Sequence, residues 1–446
     1  MGRLVFDPQL TKPDALVLEN LAADIRAETT EKQVEHQGLA KRVANGHTSN
    51  QESPANGSAG HSDDGTIAKL AALNNPKDPN FEPTVFNGTE LSQLKLPQFL
   101  DQWVLQPYIR VARSIVRVET DVVMVTHLLL YFTTSVPSAA LLFYRFWWIH
   151  ALVHCLMQIS YVGTYTLMMH QHIHMRGILS KKFIIFDTLF PYVLDPLMGH
   201  SWNSYFYHHV KHHHVEGNGP NDLSSTLRYQ RDNIWHFLHY VGRFYFFIWF
   251  DLPRYFIRTG KLGLASRAAF WELSYYTTLV LLYRLNPRAT FVVLLLPLLL
   301  LRAGLMVGNF GQHAFVDHEE PDSDYRSSIT LIDVASNRHC FNDGYHTSHH
   351  LNPLRHWREH PVSFLRGKEK YASQHALVFH NIDYIMITVR LMMKDYKTLA
   401  ECMVPIGEQI SMTLEDRMAL LESHVQQFTE EEIREKFGKD TSAAGL

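Results

Sequence analysis

Residues 122–174 read VVMVTHLLLYFTTSVPSAALLFYRFWWIHALVHCLMQISYVGTYTLMMHQHIH. Between Val122 and Met169 the only Lys, Arg, Asp or Glu is Arg145, and the run is roughly twice the ~20 residues one helix needs to cross a bilayer. It predicts a helical hairpin of two spans, turning either at Val136–Pro137–Ser138 or at Tyr144–Arg145. The run ends on His170, His172 and His174. Histidine is costly to leave unpaired near lipid, so these side chains are not packing filler. His170 and His174, four apart, project from one helix face, and His172 points elsewhere.

Working outward, a second apolar pair follows: Phe270 to Leu285, rich in aromatics, then Ala289 to Asn309 (ATFVVLLLPLLLLRAGLMVGN). Asn286–Pro287 is a natural turn between them, so the expected count is four spans. Two spans precede the first histidine knot, and two separate the second knot, His208–His214 (HHVKHHH), from the third, His346–His349–His350 in GYHTSHHLNP. An even number in each gap places all three knots and both tails on one side. The loop between the hairpins is rich in Lys and Arg, whereas the turn between spans three and four offers only Arg284 and Arg288. The positive-inside bias makes the histidine side cytosolic.

The middle knot has three readings. His209–His212–His213 gives H-x-x-H-H, His209–His213–His214 gives H-x-x-x-H-H, and His208–His212–His213 shifts the latter by one; spacing alone does not choose. His313, in GQHAF, directly follows the last span much as His170 follows the second. Imidazole suits iron, copper or zinc, and so many imidazoles on one face suffice for two ions.

Other classes are excluded by what accompanies these knots. The 446 residues carry a net charge of −3, so nothing points to nucleic acid. The thiols Cys155, Cys340 and Cys402 form no C-x-x-C pair, and neither H-E-x-x-H nor Glu-x-x-His occurs. A histidine-rich membrane metal transporter is the alternative from another class. It would place polar groups at mid-span along a pathway, whereas these knots lie beyond the spans.

Residues 1–95 read as a cytosolic tail: the opening MGRLVFDPQL has no sustained apolar run, and Asn45–Gly65 is expected to be disordered. The membrane catalytic domain is expected over 96–365, and 366–446 as a cytosolic helical tail whose Leu414–Phe437 stretch is charged and solvated. His127, His150 and His154 are expected to bond between helices, and His356, His360, His375 and His380 to lie on the surface.

The three knots in this order, with spans between them, resemble the membrane fatty acid desaturase and hydroxylase superfamily, whose signature is H-x(3–4)-H followed by two H-x(2–3)-H-H boxes. The resemblance covers roughly residues 100–365. It implies an all-α membrane protein of about four spans under a cytosolic histidine-rich cap. It also implies two iron ions, dioxygen as co-substrate, and ligands drawn from His170, His174, His209, His212, His213, His214, His313, His346, His349 and His350. HHVEGNGPNDLSS resembles the segment after the second box of alkane hydroxylases, which favours the His209–His213–His214 register; GYHTSHH resembles desaturases, including sphingolipid ones.

The activity so implied is desaturation of a long acyl or other aliphatic chain, with hydroxylation at the same centre as the alternative. Breaking an unactivated C–H bond needs dioxygen and two electrons. His-Pro-Gly-Gly and G-x-G-x-x-G are both absent, so the electron donor is expected to be a separate cytochrome b5 or ferredoxin with its reductase. The site implied is the endoplasmic reticulum if the source is eukaryotic. Asp222, Asp317, Asn342 and Asp343 are candidates to orient the imidazoles. Phe183, Phe186, Phe190, Tyr192, Trp202 and Tyr205 are candidates to line a substrate tunnel.

Overall fold

The computed structural model describes residues 4–44 and 63–438, with residues 31–44 described by their backbone alone. The chain is mostly helical. Val122–Thr133 and Ser135–Tyr144 form one rod with a break at Thr134 (φ −121°, ψ −65°). Pro137 is tolerated because it lies in the first turn of the second segment, where N–H groups have no helical acceptor. The reversal comes instead at Arg145, in extended conformation, and Trp148–Met175 runs back. Of the two candidate turns, the charged one is used.

The second hairpin joins Leu262–Leu285 to Pro287–Gln312. Asn286 Oδ1 accepts from the Ala289 amide at 3.2 Å, and Pro287 fills the first helical position, the Asn–Pro start that a helix favours. Among the described residues, Val122–Tyr144 and Pro287–Gln312 are long and apolar enough to cross a membrane. Their partners fall short of the expected four because of polar content: His150, His154 and Gln158 in one, Arg267, Glu272 and Arg284 in the other. Trp148, Leu152, Leu156 and Ile159 nevertheless form an exposed apolar stripe. Several of these polar groups pair internally: Ser138 Oγ bonds His150 Nε2 and His154 Nδ1 at 2.9 Å each, and Glu272 pairs with Arg302 and accepts from Ser201 and Tyr276, while His154 Nε2 is buried without a partner. His127 has no such bond; its ring stacks on Tyr131.

Above the hairpins lies a cap that departs from an all-helical expectation by one small parallel sheet, Ile329–Ile332 beside Leu377–His380. The second strand belongs to the expected C-terminal tail. That segment is no appendage: Leu399, Leu421 and Val425 are fully buried against Phe379 and Leu331. Arg231, also fully buried, donates to the carbonyls of Ala314, Thr226, Tyr229, His424 and Gln426. Leu414–Ser423 and Glu430–Phe437 are two helices, each opened by a threonine capping box, and Phe428 and Ile433 bury beside Leu227. Their exposed charges hide a narrow apolar stripe, which is why the stretch reads as solvated.

The N-terminal region is likewise packed in. Lys12–Ala44 is a helix whose Val17, Leu18 and Leu21 bury against Tyr345, Phe364 and Val378. Two turns of apolar face suffice, too few to stand out in a long charged helix. Residues 45–62 of the stretch expected to be disordered lie outside the described residues; Asp64–Asn74 is a helix. Leu73, Asn74, Glu82 and Thr84 all accept from Arg358. His360 and His380, expected on the surface, are buried.

Asp14 anchors the N-terminal helix beneath the third box: its carboxylate accepts from Tyr345 Oη at 2.8 Å, Asn337 Nδ2 at 3.1 Å and Thr11 Oγ1 at 2.6 Å. Burial pushes its carboxyl up to about 6, against the lowering effect of these bonds. A raised carboxyl costs stability as pH rises from the unfolded value near 4 through about 6. Asp14→Asn keeps an oxygen for the Tyr345 and Asn337 bonds, leaves an amide facing Thr11 and removes the charge, so the fall in melting temperature between pH 4 and 6 should flatten. Thermal unfolding across that range checks this, and an unchanged slope contradicts it.

Candidate metal centre

The first box sits on the upper end of Trp148–Met175. His170 and His174 share a face with ring centroids 4.7 Å apart, and the helix stops at Arg176 in the left-handed conformation. His172 turns away and donates from Nε2 to the Asp187 carbonyl at 3.0 Å.

The second box does not lie on an α-helix. Phe206–His213 is a π-helical stretch, in which residues five apart share a face, and such stretches recur at functional sites. That winding resolves the register. His209 and His214 point to one group, with Nε2 atoms 3.1 Å apart, and His213 points to another. His212 stands outside both: its Nε2 accepts from the Leu223 amide at 2.9 Å, and its ring packs edge-on against Tyr255. The H-x-x-x-H-H reading is the one the geometry gathers, and His212 lies outside both groups with its Nε2 bonded to the Leu223 amide.

The third box is the short helix His346–Leu351. Gly344 makes its approach possible, since a Cβ there would run into the Asn337 side chain and the Leu331 carbonyl. The Leu331 amide donates to the Gly344 carbonyl at 2.7 Å, tying the box to the sheet.

The folded chain thus gathers two groups: His170, His174, His209, His214 and His349; and His213, His313, His346 and His350. Within the first, His170 and His209 Nε2 are 2.8 Å apart, as are His349 and His214 Nε2. Within the second, His346 Nε2 is 3.2 Å from His313 Nε2 and 3.1 Å from His350 Nε2. Two imidazoles bound at right angles to one ion at roughly 2.1 Å have their nitrogens about 3 Å apart. Hydrogen bonding alone does not satisfy these clusters. His213 Nδ1 donates to Asp222 Oδ2 at 2.6 Å and His313 Nδ1 to the Ser327 carbonyl at 2.7 Å, so each neutral ring keeps a bare Nε2 lone pair for the centre. His213 Nε2 and His174 Nε2 have no partner. The residues fit two metal ions.

Electrostatics agree. Burial, then neighbouring imidazoles, hold His209, His214, His346 and His349 well below the usual histidine range, leaving them neutral as a metal requires. Burial alone would raise Asp222, but the His213 and His212 rings hold it well below the carboxylate range. Asp324, 3.5 Å from His350 Nδ1, was invisible in sequence, as was the Ser327 carbonyl, because neither adjoins a box in the chain. Asp317 pairs with Arg326, and Asn342 donates to the Trp357 carbonyl; neither orients a ring of the two groups. Asp222→Asn should weaken metal binding in the second group by roughly 10–100-fold, read as metal content after dialysis against a graded chelator. His212→Gln should leave that content unchanged.

An apolar cavity of about 640 Å³ ends on His170, His209 and His346. It lies between Trp148–Met175 and Pro287–Gln312. Of the tunnel candidates, only Tyr205 lines it. Phe183 and Phe186 face outward, Phe190 is core, Tyr192 packs at a tilt on Trp271, and Trp202 packs on Tyr275. Of the helix Ile184–Leu197, only the last residue, Leu197, reaches the cavity.

A helical protein with paired polyhistidine clusters at the end of an apolar chamber is the class that fold and site define. The family model "Fatty acid desaturase" matches residues 145–381, just over half of the chain, and the chain belongs to that family. No curated protein and no solved structure gives a significant match. The matched segment holds all nine histidines of the two groups.

Proposed function

We propose that the protein is a membrane oxidoreductase that binds two iron ions and uses dioxygen to desaturate a long aliphatic lipid chain. The observation that carries this is the meeting of two histidine groups with a long apolar cavity. The balance is –CH2–CH2– + O2 + 2e⁻ + 2H⁺ → –CH=CH– + 2H2O. Iron would be held by the nine histidines and would supply dioxygen activation. The chain's own residues do the rest: the cavity orients the alkyl chain and excludes water, while Asp222 and Ser327 fix two ring orientations. The two electrons come from an external carrier protein with its reductase.

Hydroxylation (R–H + O2 + 2e⁻ + 2H⁺ → R–OH + H2O) is the second reading, supported by the sequence after the second box. Lipid mass spectrometry after expression in yeast separates the readings. Loss of two hydrogens supports desaturation, and a gained oxygen supports hydroxylation. No change in any lipid, from a protein shown to carry iron and receive electrons, removes both.

The same reading places four spans in the membrane, with the histidine groups and both termini on the cytosolic side. Single cysteines at the exposed positions Asn80, Lys370 and Glu415, in a background lacking the native three, should label from one side of sealed vesicles. Cysteines at the exposed turn residues Arg145 and Arg288 should label from the other. Any mixing of the two sets contradicts the four-span arrangement.

A further inference from the structure

The cavity has two chemically different ends. Its walls run from Cys155 to His170 on one helix and from Pro297 to Gln312 on the other. Each covers sixteen residues, about 22 Å end to end at the α-helical rise, the length of roughly sixteen to eighteen methylene groups. Most of this length is apolar. At the metal end the lining changes to Asn309, Gln312, Ser336, Asp343 and Asp383.

Two features of the cavity point to a ligand. The carboxylates are only half used: Asp343 Oδ2 accepts from Gln312 Nε2 at 3.1 Å, and Asp383 Oδ1 caps the next helix through the Met386 amide at 2.8 Å. No bond occupies the second oxygen of either among the described residues. Independently, His208, the one histidine of the second box that lines this cavity without joining a metal group, has a buried Nε2 with no partner. A buried polar atom left unmatched costs free energy that a bound partner recovers. Burial also pushes Asp343 up to about 7, a penalty that a donor or a cation beside it relieves. No Lys or Arg lines the cavity, so no basic side chain there pairs with a phosphate or a carboxylate.

We propose that the cavity selects single-chain lipids whose head is a hydrogen-bond donor, neutral or cationic. Long-chain alcohols, amines and amino alcohols have this chemistry, with Asp343 and Asp383 accepting from the head and the saturated tail lying along the 155–170 and 297–312 walls. It rests on the cavity being the substrate chamber, as proposed above. Because Asp343 and His346 both line the cavity, the carbons presented to the metals would be the first few beyond the head.

The test reads binding without turnover. The full-length protein in phosphatidylcholine nanodiscs, under nitrogen and without reductant, is titrated with octadecylamine, octadecan-1-ol and octadecanoate against a displaceable fluorescent octadecyl probe. The amine and the alcohol should bind at least about tenfold tighter than octadecanoate, the scale of one charge-assisted hydrogen bond. Asp343→Asn should cut amine affinity about tenfold and improve octadecanoate. Gly304→Phe should weaken all three. Equal or tighter binding of octadecanoate by the unmodified protein overturns the proposal, and that comparison needs no variant to fold. An unchanged amine-to-octadecanoate ratio in folded Asp343→Asn, or undiminished amine binding in folded Gly304→Phe, also overturns it. A protein with the expected binding order that oxidises no lipid would overturn the proposed activity and leave this selectivity standing. One that oxidises octadecanoate but fails the order would do the reverse.

Discussion

His349→Ala is expected to lower bound iron from about two per chain to about one and to reduce turnover by more than ~100-fold, because even residues that merely orient a ligand cost 10–100-fold. His349 Nε2 lies 2.8 Å from His214 Nε2, and its ring centroid is 4.4 Å from that of His170, so its loss opens the first group directly. The second group keeps His213, His313, His346 and His350 and should keep its ion. The protein should stay folded, since the third-box helix is held by the Tyr345–Asp14 bond and by the sheet, neither of which involves the imidazole. Metal analysis with a thermal melt on the same preparation checks both halves. Full iron content with full turnover would sink the two-metal reading. His346→Ala should instead empty the second group, so the two variants together tell whether the groups load independently.

The second large effect is on chain length. A Cβ built on Gly304 or Gly308 meets nothing within 4 Å, and both residues line the cavity. Gly304 stands eight residues below Gln312, about 12 Å along the helix. Gly304→Phe should therefore block the lower half of the chamber and move the preferred substrate from about eighteen carbons to roughly ten. Gly308→Leu, one turn closer to the histidines, should lower turnover on every chain length by at least about tenfold while iron stays bound. Replacing glycine in a helix costs no backbone strain here and lowers the entropy lost on folding, so misfolding is not the expected outcome. Competition among saturated chains of graded length, scored by mass spectrometry, reads the shift. An unaltered length preference in Gly304→Phe, with the protein folded and iron-loaded, contradicts the assignment of this cavity.

The sequence by itself determined the parts of this protein that depend on short-range periodicity. An apolar run too long for one helix gave the first hairpin, Asn286–Pro287 gave the turn of the second, and the i, i+4 spacing gave the shared face of His170 and His174. The nine gathered histidines all fall among the ten candidates, because each box is local in the chain. The tertiary structure decided whatever depends on winding or on distant neighbours. Spacing rules assume 3.6 residues per turn, so HHVKHHH stayed ambiguous until the π-helical winding placed His209 with His214 and left His212 bonded to Leu223. Pro137 and Arg145 compete equally on paper, but a proline in the first turn of a helix gives up no hydrogen bond. The N-terminal helix and the last eighty residues looked separable because each buries only a few side chains, and what they bury against lies hundreds of residues away. The apolar cavity was not foreseen for the same reason: its walls, Cys155–His170 and Pro297–Gln312, come from different hairpins, and no local pattern reports that two helices will face each other across a gap.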